Sequence, residues 1–259
     1  MEKVNIYNLD GQSKGSIELP LVFKFKPRTD LIQFASEVFI TKNKQKQGRD
    51  KRAGLRNTAE GWGTGHAMSR APRIKGAGFQ TARNAGRAPY AIGGRRTHPI
   101  KNEKKIEKKL NNKAKKLSIY SAISASGQPK WLENRGHIIS DVPQIPLVID
   151  DKVQTIKKTK DIYMVLNELG MKKELLKTKK AKKIRAGKGK RRGRKYKFAK
   201  GPLLVIKEDY GIVKAMKNIP GFEVAKIENL SIELLAPGAM PGRFVIWTQS
   251  AFNELNNYT

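Results

Sequence analysis

Leu203-Leu204-Val205-Ile206 is apolar at all four positions, and Pro146-Leu147-Val148-Ile149 and Phe244-Val245-Ile246-Trp247 repeat the pattern. A strand apolar on both alternations is covered on both faces, which is the habit of parallel sheets in α/β folds. Ile138-Ile139 reads as a shorter piece of the same kind, and residues 222–227 alternate more, as a strand nearer an edge does. Helical periodicities lie among these runs. Asp30 caps a helix with Leu31, Phe34, Ala35 and Val38 on its apolar face and Gln33 at the capping-box position. From residue 103 to 121 a stripe of Ile106, Leu110, Ala114, Leu117 and Tyr120 opposes a face of lysines. Thr159 opens a third helix through Ile162, Val165, Leu166 and Leu169, and Gly170 closes it. Asp209 starts a short helix that buries Ile212, Val213 and Met216, and residues 249–255 form a last amphipathic piece. Strands alternating with helices predict an α/β fold: an open, largely parallel sheet flanked by helices.

The charge is distributed unevenly. The 259 residues carry 54 Lys+Arg against 22 Asp+Glu, a formal net charge of +32. Residues 42–99 hold 14 basic and two acidic groups, residues 100–116 eight and two, and residues 171–200 sixteen and one. These three segments sum to +33 (12, 6 and 15), so everything else nets −1. The organisation expected is a single near-neutral body (about 1–41, 100–170 and 201–259) interrupted by two basic insertions, 42–99 and 171–200. A charge this large needs a polyanion beside it, nucleic acid before an anionic membrane surface. With no cysteine, disulfide scaffolds, thiol nucleophiles and cysteine zinc sites are excluded. No apolar run approaches the 18 residues of a membrane span. The opening residues MEKVNIYNLDGQSKG lack a signal-peptide stretch, so the cytoplasm is the expected compartment.

Residues 42–99 are a different material from the body. They contain ten Gly, three Pro and only seven large apolar residues, with no sustained period. Ordering a backbone costs about 1–2 kcal/mol per residue, more than so few apolar side chains offset. The segment is therefore either a solvated, disordered loop or one held in shape by an external polyanion. Residue choice favours the second. Lysine outnumbers arginine 38 to 16 overall, yet nine arginines fall here: Arg49, Arg52, Arg56, Arg70, Arg73, Arg83, Arg87, Arg95 and Arg96. Arginine offers a planar fork for phosphate and a face for stacking. Lys51, Lys75 and His98 add to the candidate RNA contacts, and Trp62, Phe79 and Tyr90 are placed to stack on unpaired bases. The stretch AGKGKRRGRKYKFAKG (186–201) reads the same way, with Lys188, Lys190, Arg191, Arg192, Arg194 and Lys195 around three glycines.

No constellation of residues supports a reaction. Gly61-Trp62-Gly63-Thr64-Gly65 lacks the strand and helix that a dinucleotide fingerprint needs, and there is no phosphate-loop motif. His66, His98 and His137 show no i, i+4 pair, so no metal site and no cofactor are expected, and His137 reads as structural. Asp150-Asp151 reads as a strand-end turn or cap. Two rivals share the charge: an RNA-processing enzyme, disfavoured by the dispersed acids, and a DNA-packaging protein, disfavoured because Gly-rich Arg loops with single aromatics suit irregular RNA better.

Particular strings carry a resemblance. Gly61-Trp62-Gly63-Thr64-Gly65-His66, Arg70-Ala71-Pro72 and the Gly-Gly-Arg-Arg-Thr-His-Pro run at 93–99 resemble the family of large-subunit ribosomal protein four. Pro-Gly-Arg-Phe-Val-Ile-Trp-Thr at 241–248 followed by Ser250-Ala251-Phe252 is similar to its archaeal and eukaryotic branch, and the likeness runs end to end. It implies a structural, non-enzymatic constituent of the large subunit, with large-subunit rRNA and neighbouring ribosomal proteins as partners. It also implies that a loop tip, here Trp62, Gly63, Thr64, Gly65 and His66, lines the peptide exit tunnel constriction beside the nascent peptide. Bacterial relatives typically carry basic flanks where Trp62 and His66 stand, which leaves macrolide fit open. The chain ends at Thr259 without the eukaryotic C-terminal extension, so an archaeal-type length is expected.

Overall fold

The computed structural model describes residues 2–258. Its strands are β1 (Lys3–Tyr7), β2 (Ser13–Glu18), β3 (Leu147–Ile149), β4 (Lys183–Ile184), β5 (Tyr196–Lys197), β6 (Leu203–Ile206), β7 (Glu223–Lys226) and β8 (Val245–Thr248). Its helices are α1 (Thr29–Lys42), α2 (Asn112–Ser126), α3 (Pro129–Arg135), α4 (Thr159–Glu168), α5 (Lys172–Lys180), α6 (Ile212–Met216), α7 (Ile232–Leu235) and α8 (Gln249–Glu254). Six strands form one sheet in the order β2-β1-β3-β8-β6-β7, and β4 pairs with β5 separately. Only β1 and β2 run antiparallel within the large sheet. This is the open, largely parallel α/β sheet that the apolar runs predict, with β7 at its edge.

β3 and β6 are apolar at every position, and β8 at all but Thr248, because both faces of each strand are covered. Val148, Leu203, Val205, Val245 and Trp247 point to one face and pack with Ile32 and Ala35 of α1, Ala122 and Ile123 of α2, α7, and Phe252 of α8. Leu147, Ile149, Leu204, Ile206 and Ile246 point to the other and meet Leu132 of α3, Ile162 and Leu166 of α4, Leu175 of α5, and α6. Each such side chain, fully buried, stabilises the fold by about 1.5–3 kcal/mol relative to exposure. Phe23, Trp247 and Phe252 form an aromatic trio, with Phe23 and Phe252 stacked at 5.5 Å.

Several expectations need correction. The helix read from 103 to 121 is instead α2, and residues 101–111 are not helical. Lys101, Lys104, Lys105, Lys108 and Lys109 would crowd successive turns with like charge, and Asn111 with extended backbone starts the helix beyond them. Ile138-Ile139 is not a strand, because Ile138 N–H donates to a Glu174 carboxylate oxygen at 3.0 Å rather than to a ladder. In α1 the inward face is Ile32, Ala35, Ser36 and Val38, while Phe34 is 44% exposed. Asp30 sits inside the first turn, paired with Arg28 at 2.6 Å, and is not the cap. The helix expected from Asp209 begins at Ile212 with Gly211 as its N-cap, and Asp209 supports that end from two residues upstream, its Oδ1 accepting from Gly211 N–H at 2.8 Å and Val213 N–H at 3.3 Å. The β1–β2 hairpin, α3, α5 and α7 lie outside the elements expected from the sequence. Residues 172–180, counted with the second basic insertion, form α5, which buries Glu174, Leu175 and Thr178 against the body.

By contact the chain separates into two units, Met1–Ile40 with Lys108–Thr259, and Thr41–Glu107. Among the described residues no helix is long and apolar enough to cross a membrane.

Candidate nucleic-acid interface

The second unit has backbone order without an apolar core. Its ends meet where Arg49 N–H donates to the Ile100 carbonyl at 3.0 Å. Glu60 and Arg73 exchange both backbone hydrogen bonds at 3.0 and 2.9 Å, Arg73 also bridges Ala85, and Ile74 N–H donates to the Asn84 carbonyl at 3.0 Å. Small residues fill the interior, with Ala59, Ala71 and Ala88 buried. Leu55, Trp62, Met68, Phe79, Tyr90 and Ile92 are all exposed. The segment is an irregular, hydrogen-bonded ribbon, and six of its seven large apolar residues face outward, Ile74 being half-buried.

The arginines divide into two kinds, a distinction the sequence does not carry. Arg73 is half-buried and its Nη1 donates to the Arg83 carbonyl at 3.0 Å. Arg87 grips Asn57 twice, Nη2 donating to the backbone carbonyl at 2.6 Å and Nε to Oδ1 at 3.2 Å. These two brace the ribbon. Arg56 pairs with Asp50 at 2.5 Å and Lys75 pairs with Glu60, both in the open where an ion pair is worth about 0–1 kcal/mol. Among the described residues, the exposed side chains of Arg49, Lys51, Arg52, Arg70, Arg83, Arg95, Arg96 and His98 have no protein partner. Five N–H donors per guanidinium left to solvent are what a phosphate-rich ligand would engage.

The tip of the ribbon carries Trp62, 38% exposed, with its ring 5.9 Å from that of His66 and edge-on at 71°. Gly63 and Gly65 between them hold positive φ of 79° and 90°. Gly63, Thr64 and Gly65 are exposed.

The second basic segment ends in the β4–β5 hairpin. Arg185 closes it, its backbone N–H donating to the Lys195 carbonyl at 2.8 Å and its Nε to the Arg194 carbonyl at 3.1 Å. Lys188, Lys190, Arg191, Arg192, Arg194 and Lys195 are exposed at its end. Lys182, Arg185, Tyr196, Lys197 and Phe198 were not singled out from the sequence, although the alternation Lys195-Tyr196-Lys197-Phe198 in a short strand was the available signal. They line one wall of a groove closed on the other side by residues 217–223.

The sequence profile of the Ribosomal protein L4/L1 family matches residues 17–258. The chain belongs to this family. Large ribosomal subunit protein uL4 of Methanosphaera stadtmanae is 41% identical over 257 residues, 99% of this chain and 97% of that protein. The uL4 of Methanopyrus kandleri is 37% identical over 250 residues, 96% of each. The uL4B of Schizosaccharomyces pombe is 42% identical over 255 residues, 98% of this chain but 70% of the yeast protein. As a member of the L4/L1 family the chain is a ribosomal protein, structural rather than enzymatic.

Proposed function

We propose that this structural constituent of the large ribosomal subunit is fastened there by its two basic segments, which bind large-subunit rRNA. The observation that carries the reading is the row of exposed, unpartnered arginines on a ribbon with no apolar core of its own. Such a ribbon gains its final shape from the RNA that surrounds it, since its internal hydrogen bonds stabilise by only about 0.5–1.5 kcal/mol each. The domain reading follows: a body that folds alone, a 42–99 arm and a basic hairpin beyond α5, the arms taking final form on RNA. A ribbon of 58 residues doubled back spans up to about 95 Å at ~3.3 Å per residue, enough to reach a subunit interior. Its tip, Trp62 to His66, then lines the constriction of the peptide exit tunnel beside the nascent peptide, with other large-subunit proteins as neighbours. Titration of large-subunit rRNA fragments over a range of salt tests the first part. If about ten basic groups reach phosphates, log K falls against log[salt] with a slope of roughly −7 to −9. A slope near zero, or arms equally protected from protease with and without RNA, sinks the reading.

A further inference from the structure

The groove beside the β4–β5 hairpin has features that a merely solvated charged surface does not need. Its cavity volume is about 820 Å³, inside the range of roughly 300–1,000 Å³ typical of sites for small organic groups. Tyr196 and Phe198 stand in it 43% and 51% exposed, two aromatic rings that contribute little to the apolar core. Lys182 Nζ lies 4.6 Å from the Tyr196 ring centroid and 5.9 Å from that of Phe198, and Lys195 Nζ lies 5.6 Å from Tyr196. The rings therefore have cations at their faces in the free protein. Lys197 and Lys217 add positive charge along the walls. The acid that lines the groove, Glu223, is already held by Lys200 and by Arg243 at 2.7 Å.

The floor is rigid. Gly201 N–H donates to the Gly221 carbonyl at 2.8 Å, joining the chain that leaves the hairpin to the loop opposite. A Cβ on Gly221 would meet the Ala199 carbonyl oxygen at 2.9 Å, and its φ of +82° already favours glycine. Beneath both glycines lies Thr178 of α5, buried at 2% exposure. The foot of the groove is thus set by backbone packing, and the hairpin that carries the two rings rises from it.

We infer that this groove is a seat for an unpaired nucleobase, which displaces the Lys182 ammonium from the face of Tyr196 or Phe198 and stacks there, with the adjoining phosphates taken by Lys182, Lys197 and Lys217. It rests on the rRNA-binding reading and narrows it to one place and one chemistry. The aromatic faces select a base over an acidic peptide. Carboxylates need only the lysines, whereas π-faces against a cation-lined wall match a planar base with a phosphate on either side. A paired base is excluded, since its faces are already covered in a helix.

The test titrates the full chain with a short single-stranded RNA carrying one 2-aminopurine, whose fluorescence is quenched on stacking. Tyr196→Ala with Phe198→Ala is expected to weaken binding about 10- to 100-fold, the loss of one stacked base, and to abolish the quench. An abasic strand of equal length should bind as weakly as the substituted protein binds the intact one, and should not feel the substitutions. Lys182→Gln should keep the quench while flattening the salt slope by about one. Equal affinity for intact and abasic strands, unchanged by the aromatic substitutions, overturns the seat. The wider rRNA reading is judged separately, by large rRNA fragments and Arg95→Ala with Arg96→Ala. Displacement of the RNA by a poly-glutamate peptide that binds wild type and not the aromatic variant also overturns it, in favour of an acidic protein segment. If the alanine pair loses its circular dichroism signal, Tyr196→Leu with Phe198→Leu keeps bulk without a π-face and decides the same question.

Discussion

Arg243, with no exposed surface, places Nη1 2.7 Å from Oε2 of Glu223, and its Nε donates to the Gly201 carbonyl at 2.8 Å. The same Nη1 donates to the Leu234 carbonyl at 2.7 Å. The guanidinium thus joins β7, the chain just before β6 and the end of α7. Burial pushes the Arg243 pKa down, and the Glu223 carboxylate offsets part of that. For Glu223 burial pushes upward, but Lys200 and Arg243 outweigh it and the carboxyl lies below its ordinary value.

Arg243→Ala removes the buried partner of Glu223, which stays half-exposed and paired with Lys200, and strands two backbone carbonyls. The expected loss is about 2–6 kcal/mol, at roughly 1–3 for each buried acceptor left unsatisfied, read from urea unfolding. Arg243→Lys should recover only part of it, because an ammonium lacks the fork that reaches Glu223 and the Gly201, Pro202 and Leu234 carbonyls. A loss under about 1 kcal/mol, the level of an exposed pair, would show that the network contributes nothing.

His137 and Glu174 form a pair buried on both sides, Nδ1 to Oε1 at 2.7 Å, with Ile138 N–H on the other carboxylate oxygen at 3.0 Å. Burial raises the Glu174 pKa, but the His137 and Ile138 hydrogen bonds outweigh it, leaving it below the ordinary 4.5. A lowered carboxyl pKa favours the folded state above the unfolded value, and that stability is lost as pH falls through the folded value. Wild type should therefore lose stability below pH 4.5. Glu174→Gln should be less stable at neutral pH and show a shallower acid limb. Parallel urea midpoints across that range for the two proteins would rule the pair out as the cause.

Gly170 follows α4 at φ +77°, and a Cβ there would stand 2.0 Å from the Asp141 carbonyl oxygen. Gly170→Ala is expected to destabilise by at least the left-handed penalty of about 1–2 kcal/mol, measured by thermal unfolding. A neutral result would mean that the 141–142 turn moves freely.

Arg95 and Arg96 are exposed and unpartnered, so Arg95→Ala with Arg96→Ala should leave the fold alone and weaken rRNA binding. The salt slope should flatten by about 0.7–0.9 for each phosphate that is no longer neutralised. Binding titrations at several salt concentrations read this directly, and an unchanged slope removes both residues from the RNA-binding surface.

Trp62 is held against His66 at the ribbon tip, away from the arginine rows in sequence. Trp62→Ala should leave rRNA affinity within about threefold, because a ring that faces the tunnel stacks on no rRNA base and neutralises no phosphate, while changing stalling on arrest peptides. Unaltered stalling across a panel of such peptides takes Trp62 off the tunnel wall.

The sheet was legible because β3, β6 and β8 are buried on both faces, and a chain buried on both faces is apolar at nearly every position, Thr248 being the exception. The β1–β2 hairpin escaped because β2 is a largely exposed edge, Ser13 to Glu18, whose polar residues carry no such mark. Helix α5 escaped for the opposite reason: its lysines outnumber its core residues, and only Leu175, Glu174 and Thr178 report that one side is covered. At the candidate interface, composition was enough to find the arginines. It could not separate Arg73 and Arg87, which spend their guanidinium groups on the ribbon itself, from Arg95 and Arg96, which do not.

Local order in the chain, then, determined which segments are strands, which are basic arms and which carry arginine, because burial and charge act on each residue where it stands. Only the tertiary structure decided that Lys182 and Tyr196 would face residues 217–223, that His137 would meet Glu174 across 37 positions, and that Arg243 would lie beneath Gly201. Those pairings join segments far apart in sequence, and their energies exist only once backbone packing has brought the partners within hydrogen-bond reach.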